Sequence, residues 1–341
     1  MKNQRLQGFD IAKGLAFLAV VWGHFISPYG TIFVYSFHLP VFCFISGFFL
    51  SKRKSIGEYA VDKLKQLMGP YVVTCLIYMA LTMIKETLIT KSLSGGFWAA
   101  VQIFKNAVYA VGLVPGNTLM DVEFIGPIWF LPALFFALLI ARVAIELPAG
   151  WIIILISVGV GYYTTSILWL PMDIQSGMVM AGYLYIGYLG KQLYRKYDDS
   201  QKDWKMLPWC ALLLFGVLWA WFYSGMTKTI YLCVNEYPRK ALDYFGTLTA
   251  VMTVLLLCHL GLEKLPGISG YLSFLGQHTL FLLCLHTLDD RLISWNVVTD
   301  RFGQYCLAEV VTLFITKVIF YSVVLLGVTW FKERRKSQSI S

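Results

Sequence analysis

The chain has 341 residues, of which 58% are hydrophobic and only 14% are charged, whereas soluble domains carry about 25% charged residues. Lys and Arg exceed Asp and Glu by 28 − 19, giving a formal net charge of +9. This composition excludes a water-soluble globular domain. The basic residues gather in short segments beside apolar runs, which disfavours nucleic-acid binding and indicates an integral membrane protein.

Long uncharged runs predict the transmembrane helices in chain order. The first run, residues 14–51, contains no Asp, Glu, Lys or Arg and is long enough for two helices of about 20 residues. Ser27, Pro28 and Gly30 divide it, and Pro70 opens the third helix. The prediction is an all-α polytopic membrane protein with a single domain over residues 1–341. Its ten spans are 10–28, 31–50, 70–88, 127–146, 150–169, 172–190, 207–224, 244–262, 271–288 and 307–331.

Three basic segments set the expected orientation. Residues 52–65, 191–205 and 332–336 are rich in Lys and Arg, and ten spans place all three on one side. Because such segments stay in the cytoplasm, both termini are predicted to be cytoplasmic. The mixed segment 90–125 then lies outside, with parts in the membrane interface. We expect a multi-pass protein of a bacterial cytoplasmic membrane.

The seven cysteines occur singly along the chain, without a CxxC pair. This spacing predicts neither a disulfide framework nor a zinc site. We expect the cysteines to be small apolar side chains inside the spans, and we expect no metal.

Titratable side chains inside predicted spans are candidate functional residues, because burying them in a bilayer is costly and they commonly face a polar cavity. With a rise of about 1.5 Å per residue, His24, His38 and His286 share one layer in the outer half of the bilayer. Lys317 reaches roughly the same layer. His278 has no charged neighbour in sequence, so we assign it to structure.

Lys13 and His24 share one face of the first span, because eleven residues at about 100° each return close to the starting direction. They lie about 16 Å apart along the axis, which suits the two ends of one long ligand. A topology-setting lysine and a hydrogen-bonded histidine would give the same spacing. Asp289 and Asp290 follow His286 at i+3 and i+4, where a carboxylate can fix the imidazole tautomer; a charged helix end is the alternative.

Five segments carry a likeness to known proteins. The first, FDIAKGLAFLAVVWGH, holds Lys13 and His24 with ten residues between them. The others are FHLPVFCFISGFF, DKLKQLMGPY, GPIWFLPALFF and FLGQHTLFLLCLH. In this order, over nearly the whole chain, they resemble the acyltransferase-3 family of integral membrane acyltransferases, and most closely its fucose 4-O-acetylase-like branch. Many relatives have Arg-x-x-Arg before the third span, where this chain has Lys63 and Gln66.

The resemblance implies transfer of an acyl group, commonly acetyl, from a cytoplasmic acyl-CoA to a hydroxyl of a cell-surface glycan or lipid-linked saccharide. It implies that His24 is the catalytic histidine and Lys13 its basic partner. Acetyl-CoA is then the expected donor, with its anionic end near Lys13, Arg53, Lys63 and Lys65, because cations stabilise phosphates. His24 either deprotonates the sugar hydroxyl or accepts the acetyl group first, and the sequence leaves both open.

The remaining candidates are assigned by position. His38 is favoured as the group that stabilises the oxyanion, and His286 is a further acid or base. The expected acceptor-binding residues are Glu123, Trp129, Asp290 and Lys317. Loop solvation would explain Glu123 equally well, and an anchor at the lipid interface would explain Trp129.

Two other functions remain open. A proton-coupled secondary transporter or a lipid-linked sugar flippase would also use buried histidines and a lysine, and it would need no acyl-CoA. A non-catalytic membrane receptor or scaffold is the third possibility, and it would tolerate replacement of His24.

Overall fold

The computed structural model describes residues 7–25, 30–113, 117–199, 206–300 and 306–338. Within these ranges the chain is helical, with one isolated antiparallel bridge between Tyr231 and Glu236. The α-helices are α1 Gln7–Gly23, α2 Thr31–Tyr35, α3 His38–Phe48, α4 Ile56–Lys63, α5 Gly69–Thr90, α6 Leu93–Tyr109, α7 Phe130–Glu146, α8 Gly150–Tyr163, α9 Ile174–Asp199, α10 Leu207–Ser224, α11 Ala241–Leu260, α12 Pro266–Gln277, α13 Thr279–Leu292, α14 Asn296–Thr299 and α15 Leu307–Gln338.

Among the described residues, six helical segments are long and apolar enough to cross a membrane, and the bent pair α12 and α13 would make a seventh. The six are Thr31–Phe48, Ile56–Thr90, Pro127–Glu146, Leu207–Ser224, Ala241–Lys264 and Leu307–Arg335. Helices also occupy the other three predicted spans, as α1, α8 and α9. The total of ten spans and the cytoplasmic termini stay predictions.

The predicted bounds agree best where a helix is uninterrupted. α10 has the predicted bounds, and α5 begins at Gly69, beside the predicted Pro70. α1 ends at Gly23. The predicted end of span one at 26–28, most of the dividing turn at 27–29, and residues 200–205 of the second basic segment lie outside the described ranges.

One predicted span is bent and one predicted region is incomplete. The helix expected at 271–288 is broken at His278, where α12 and α13 meet at an angle of 75°. The segment 90–125, for which no helix was predicted, holds the 17-residue helix α6 packed on α5. The break at His278 matters for the site, because both arms of the bent pair then contact α1.

α1 lies at the centre of the helices that carry the candidate site, and it packs against α3, α11, α12, α13 and α15. Its contact with α12 depends on glycine. A Cβ atom on Gly14 would lie 2.0 Å from the carbonyl oxygen of Leu272, and one on Gly276 would lie 1.8 Å from that of Asp10. Such small residues let membrane helices pack backbone against backbone. They fix the position of α1.

A capped helix and an irregular turn precede α5. The Ser55 hydroxyl accepts a hydrogen bond from the backbone N–H of Glu58, and the Glu58 carboxylate accepts one from the N–H of Ser55, which is a capping box. The π-helical stretch Leu64–Met68 then joins α4 to α5. π-Helical turns within α-helices are frequent at functional sites, and this one follows directly after Lys63.

Candidate active site

Two histidines from different helices meet at the end of α1. The Nδ1 atom of His24 lies 2.9 Å from the carbonyl oxygen of Val20 and 3.0 Å from Nε2 of His286. A carbonyl oxygen can only accept a hydrogen bond, so Nδ1 of His24 carries the hydrogen. In the neutral ring Nε2 then carries a lone pair, which can take up a proton or attack a carbonyl carbon.

Behind His286 lies a connected set of buried polar groups. Nδ1 of His286 lies 2.8 Å from the hydroxyl of Tyr321, and Tyr321 donates to Oδ2 of Asp289 at 2.5 Å. Lys317 Nζ lies 2.8 Å from the same oxygen, and Trp295 Nε1 donates to Oδ1 at 2.7 Å. His286, Asp289 and Tyr321 are at most 1% exposed, so solvent does not compete for these bonds.

The expected direct contact between His286 and a following carboxylate is wrong, because the hydroxyl of Tyr321 lies between His286 and Asp289. The neighbouring Asp290 is half-buried, and its charge acts on His24. Lys317 forms an ion pair with Asp289. Lys317 lines neither of the cavities beside α1, and its predicted contact with an acceptor stays a prediction.

His38 is the first residue of α3 and is only 4% exposed. Its Nδ1 atom lies 2.7 Å from the carbonyl oxygen of Val34, and its ring centroid lies 4.7 Å from that of Tyr35. By the same reasoning as for His24, the neutral ring has its hydrogen on Nδ1 and its lone pair on Nε2. A neutral His38 therefore accepts hydrogen bonds, and the predicted oxyanion role would need its protonated form.

A cavity of about 360 Å³, called the histidine cavity here, is bordered by both His24 and His38. The three histidines that were placed at one depth thus converge, His24 and His286 by direct contact and His38 across this cavity. Trp129 also borders the cavity and is 5% exposed, so it does not lie at the lipid interface. The other side chains with a polar atom on the cavity wall belong to Tyr35, Tyr231 and Cys233.

A second cavity, of about 340 Å³, lies beside the opposite half of α1 and is called the lysine cavity here. Lys13 and Lys63 border it. Lys13 forms an ion pair with Asp10 at 2.7 Å, and Lys63 donates to the side-chain oxygen of Gln66 at 2.7 Å. Gln66 and Ser46 border the cavity as well, and most of the remaining wall is apolar.

Three aliphatic residues border both cavities: Val20 of α1, Leu39 of α3 and Leu283 of α13. The two cavities therefore meet at these side chains, one turn before His24. Lys13 and His24 lie on either side of the meeting point along α1.

Three other predicted residues lie apart from both cavities. Arg53 and Lys65 are exposed and border neither. Glu123 is exposed too, and only its backbone N–H is fixed, by the side-chain oxygen of Asn106. The structure thus joins Lys13 with Lys63, but it does not bring Arg53, Lys65 or Glu123 to the site.

Sequence reasoning missed Tyr321, Trp295 and Tyr35. Tyr321 follows Lys317 by four residues, which places both on one face of α15, and this spacing could have marked Tyr321. Trp295 gave no signal, because it follows α13 in a connecting segment. Tyr35 gave none either, since tyrosines are common in membrane helices.

Within the described ranges, the His, Cys, Asp and Glu side chains include no group of three or more that could hold a metal ion.

Comparison with known proteins identifies the family. The acyltransferase 3 family model, described as an acyltransferase domain, matches residues 6–334. The chain belongs to this family, and six of its described helical segments are long and apolar enough to cross a membrane. Family membership favours an enzyme over the transporter and scaffold alternatives.

A more distant likeness is to nodulation protein NolL of Mesorhizobium japonicum, with 28% identity over 159 residues. The alignment covers 41% of this chain but only 36% of the length of NolL. No solved structure matches the chain.

Proposed function

We propose that this membrane acyltransferase is an O-acetyltransferase that moves the acetyl group of cytoplasmic acetyl-CoA to a hydroxyl of a cell-surface glycan or lipid-linked saccharide. The observation that carries the proposal is the meeting of two unlike cavities beside His24. In this proposal the lysine cavity receives the donor and the histidine cavity receives the acceptor, so the thioester and the hydroxyl come together at His24.

The charges of the lysine cavity suit the donor. CoA is anionic at its nucleotide end, and the amines of Lys13 and Lys63 provide cations at the cavity wall. The apolar wall beyond them suits the pantetheine arm, which is comparable in length to the distance of about 16 Å from Lys13 to His24 along α1. The exposed Arg53 and Lys65 could attract the donor from solution without touching it in the cavity.

The chemistry assigns the base to His24. Its Nε2 lone pair takes the proton of the acceptor hydroxyl while the hydroxyl oxygen attacks the thioester carbonyl carbon. When the tetrahedral intermediate collapses, the carbon–sulfur bond breaks and the CoA thiolate takes the proton from His24. If instead Nε2 attacks the thioester carbonyl carbon first, the carbon–sulfur bond breaks, CoA leaves as the thiolate and an acetyl-histidine forms. The acceptor hydroxyl then attacks the acetyl carbon, the carbon–nitrogen bond breaks to release His24, and the thiolate takes the hydroxyl proton. Both routes use the same nitrogen.

The tetrahedral oxyanion needs hydrogen-bond donors aimed at it. Trp129, Tyr35 and Tyr231 carry the N–H and O–H groups of the histidine cavity, and we assign this role to them collectively. Neutral His38 accepts rather than donates at Nε2, and the attacking hydroxyl gives its single hydrogen to His24, so we assign His38 to accepting from a second hydroxyl of the saccharide.

The site is proposed to lie in a bacterial cytoplasmic membrane, with ten spans and both termini in the cytoplasm. A reporter fused to the C-terminus tests the orientation, since activity of an extracytoplasmic reporter would reverse the donor side. The likeness to the fucose 4-O-acetylase-like branch makes a fucose-containing glycan the first acceptor to examine.

The decisive experiment compares O-acetyl groups on surface glycans, by mass spectrometry, between cells with the intact chain and cells with His24→Ala. We expect His24→Ala to lower acetylation by roughly a hundredfold or more, because it removes the base. His278→Ala is the matched control. Nδ1 of His278 is likewise 2.8 Å from the carbonyl oxygen four residues earlier, that of Phe274, but His278 borders neither cavity.

Equal amounts of both variants in the membrane must first be established by immunoblot. Acetylation that persists in His24→Ala would remove His24 from the mechanism. Acetylation lost equally in both variants would mean that any histidine replacement disturbs the fold, and this would contradict the assignment of a specific base.

A further inference from the structure

The hydrogen bonds that join His286, Tyr321 and Asp289 all run in one donor-to-acceptor direction. Tyr321 has a single hydroxyl hydrogen, which it donates to Oδ2 of Asp289 at 2.5 Å. Its oxygen must therefore accept from His286, whose Nδ1 atom lies 2.8 Å away. His286 then has its hydrogen on Nδ1, and its Nε2 atom carries a lone pair. Starting from the carboxylate, the tautomer of His286 is thus fixed without reference to His24.

The contacts of His24 give the same direction of hydrogen bonding, starting from the other end of the series. The carbonyl oxygen of Val20 requires the hydrogen of His24 on Nδ1. That hydrogen also faces the Nε2 lone pair of His286, 3.0 Å away. The two independent arguments agree at the contact between the rings. All hydrogen bonds therefore point from His24 through His286 and Tyr321 to Asp289.

We propose that Tyr321 and Asp289 are positioning residues that fix the tautomer of His286 and, through it, leave the Nε2 lone pair of His24 facing the histidine cavity. This inference rests on the proposed function for its importance to catalysis, but its geometry stands apart from it. Asp289 is held in turn by the amine of Lys317 and the indole N–H of Trp295. These two donors fix the Asp289 carboxylate, which is the last acceptor in the series of hydrogen bonds that begins at His24.

Removal of the Tyr321 hydroxyl has a specific consequence. The Nδ1 hydrogen of His286 loses its acceptor, so His286 can place its hydrogen on Nε2 instead. It would then donate to Nδ1 of His24, which would move its own hydrogen to Nε2. That form gives up the Nδ1–H bond to the carbonyl oxygen of Val20, although this oxygen keeps the backbone N–H of His24 as a donor at 3.2 Å, so we expect both forms of His24 to be populated. His24 with its hydrogen on Nε2 has no lone pair in the cavity and cannot act as a base. The variant Tyr321→Phe therefore disables part of the His24 population without touching it.

The control is a second tyrosine whose hydroxyl links two helices at α15. Tyr271 of α12 hydrogen-bonds Ser322 of α15 at 2.9 Å, and Ser322 adjoins Tyr321 in sequence. Tyr271→Phe removes one hydroxyl and its bond between α12 and α15, whereas Tyr321→Phe removes one hydroxyl and two bonds between α13 and α15. Tyr271→Phe does not interrupt the connection between His24 and Asp289. A purely structural contribution of tyrosine hydroxyls would affect both variants alike.

The first measurement does not depend on acetyl transfer. The full chain is labelled with ¹⁵N in its five histidines, placed in lipid vesicles and studied by solid-state NMR, with the signals of His24 and His286 identified by their loss in His24→Gln and His286→Gln. We expect both rings to be protonated at Nδ1 in the intact chain and in Tyr271→Phe. Tyr321→Phe should convert both rings, wholly or in part, to the Nε2–H form. Protonation of His286 at Nε2 in the intact chain, or unchanged rings in Tyr321→Phe, would overturn the proposal.

The second measurement follows acetyl transfer. Inverted membrane vesicles receive acetyl-CoA with a radiolabelled acetyl group, and base-labile label on the vesicles' own glycans is counted. Tyr321→Phe should lower kcat roughly tenfold to a hundredfold, because only part of the His24 population keeps its reactive tautomer. The KM for acetyl-CoA should stay unchanged, as in Tyr271→Phe. A higher KM with an unchanged kcat would overturn the positioning role.

A second variant guards against misfolding. Replacing Asp289 alone would leave Lys317 as an unpaired buried charge, so the pair is removed together as Asp289→Leu with Lys317→Met. We expect the same fall in kcat as in Tyr321→Phe, and no further fall when the two changes are combined, because they act through one connection. Fully additive losses would contradict this. If the intact chain transfers no label but the NMR spectra show the expected tautomers of His24 and His286, the proposed function fails while the positioning of His24 stands.

Discussion

The lysine cavity and the histidine cavity border the same helix, α1, but they hold their polar groups in different ways. The amines of Lys13 and Lys63 sit at the ends of long side chains, and the Lys13 side chain remains 25% exposed. His24 and His38 are each tied through Nδ1 to a backbone carbonyl one turn earlier. A cation can stabilise a phosphate from several positions, whereas bond formation requires atoms held to within a fraction of an ångström. The contrast therefore separates binding from chemistry along one helix.

The largest effect is expected from a change that displaces α1 and so disturbs both cavities. Gly276→Ala would place a Cβ atom 1.8 Å from the carbonyl oxygen of Asp10, forcing α1 and α12 apart. We expect a loss of stability of about 1–3 kcal/mol, with a fall in both donor binding and acetyl transfer, measured by thermal unfolding in detergent and by label transfer.

Gly270→Ala on the same helix is the control, because a Cβ atom there meets nothing within 4 Å. It should leave the unfolding temperature unchanged or slightly raised. Equal behaviour of the two variants would mean that the close contact of α1 with α12 does not hold the cavities.

The next effect should be confined to the histidine cavity. His38→Ala removes the group that accepts from a second hydroxyl of the saccharide and so orients it, and we expect kcat to fall roughly tenfold to a hundredfold with an unchanged KM for acetyl-CoA. His259→Ala, whose side chain is 63% exposed and paired with Glu263, should change neither parameter. A rise in the KM for acetyl-CoA in His38→Ala would place His38 on the donor's path and blur the separation of the cavities.

The smallest effect should appear in the lysine cavity. Lys63→Ala removes one cation from the wall, and loss of one charge-assisted bond predicts a roughly tenfold higher KM for acetyl-CoA with little change in kcat. Lys65→Ala is a close control. Lys65 carries the same charge as Lys63 and lies only two residues further along the chain, but its side chain does not border the cavity. Similar KM values for the two variants would mean that the basic segment attracts the donor only through its overall charge.

Periodicity and charge predicted much of this architecture. Uncharged runs predicted where helices lie, because a bilayer requires about 20 apolar residues per crossing, and Pro70 marked the beginning of α5. The break at His278 was missed although Gly276, Gln277, His278 and Thr279 interrupt the apolar residues there, because neither a proline nor a charged residue marks the bend. The helix α6 was missed because turn-forming glycines near its start masked its helical run.

The candidate site was predictable where it depended on position along one helix. The shared face of Lys13 and His24 follows from helical geometry alone. The contact between His24 and His286 needed the depth argument together with the knowledge that α1 adjoins α13, which one sequence does not supply. The link through Tyr321 was out of reach, because it joins α13 to α15 and no local spacing relates a tyrosine on one helix to a carboxylate on another.

Val20, Leu39 and Leu283 have a consequence for the membrane itself. In the proposed function the enzyme takes one reactant from each side of the membrane and must avoid becoming a pore. Three branched aliphatic side chains border both cavities where they meet, and apolar constrictions of this kind stop ions and protons by excluding water. On that proposal the two cavities serve opposite sides while the electrochemical gradient of the cell stays intact.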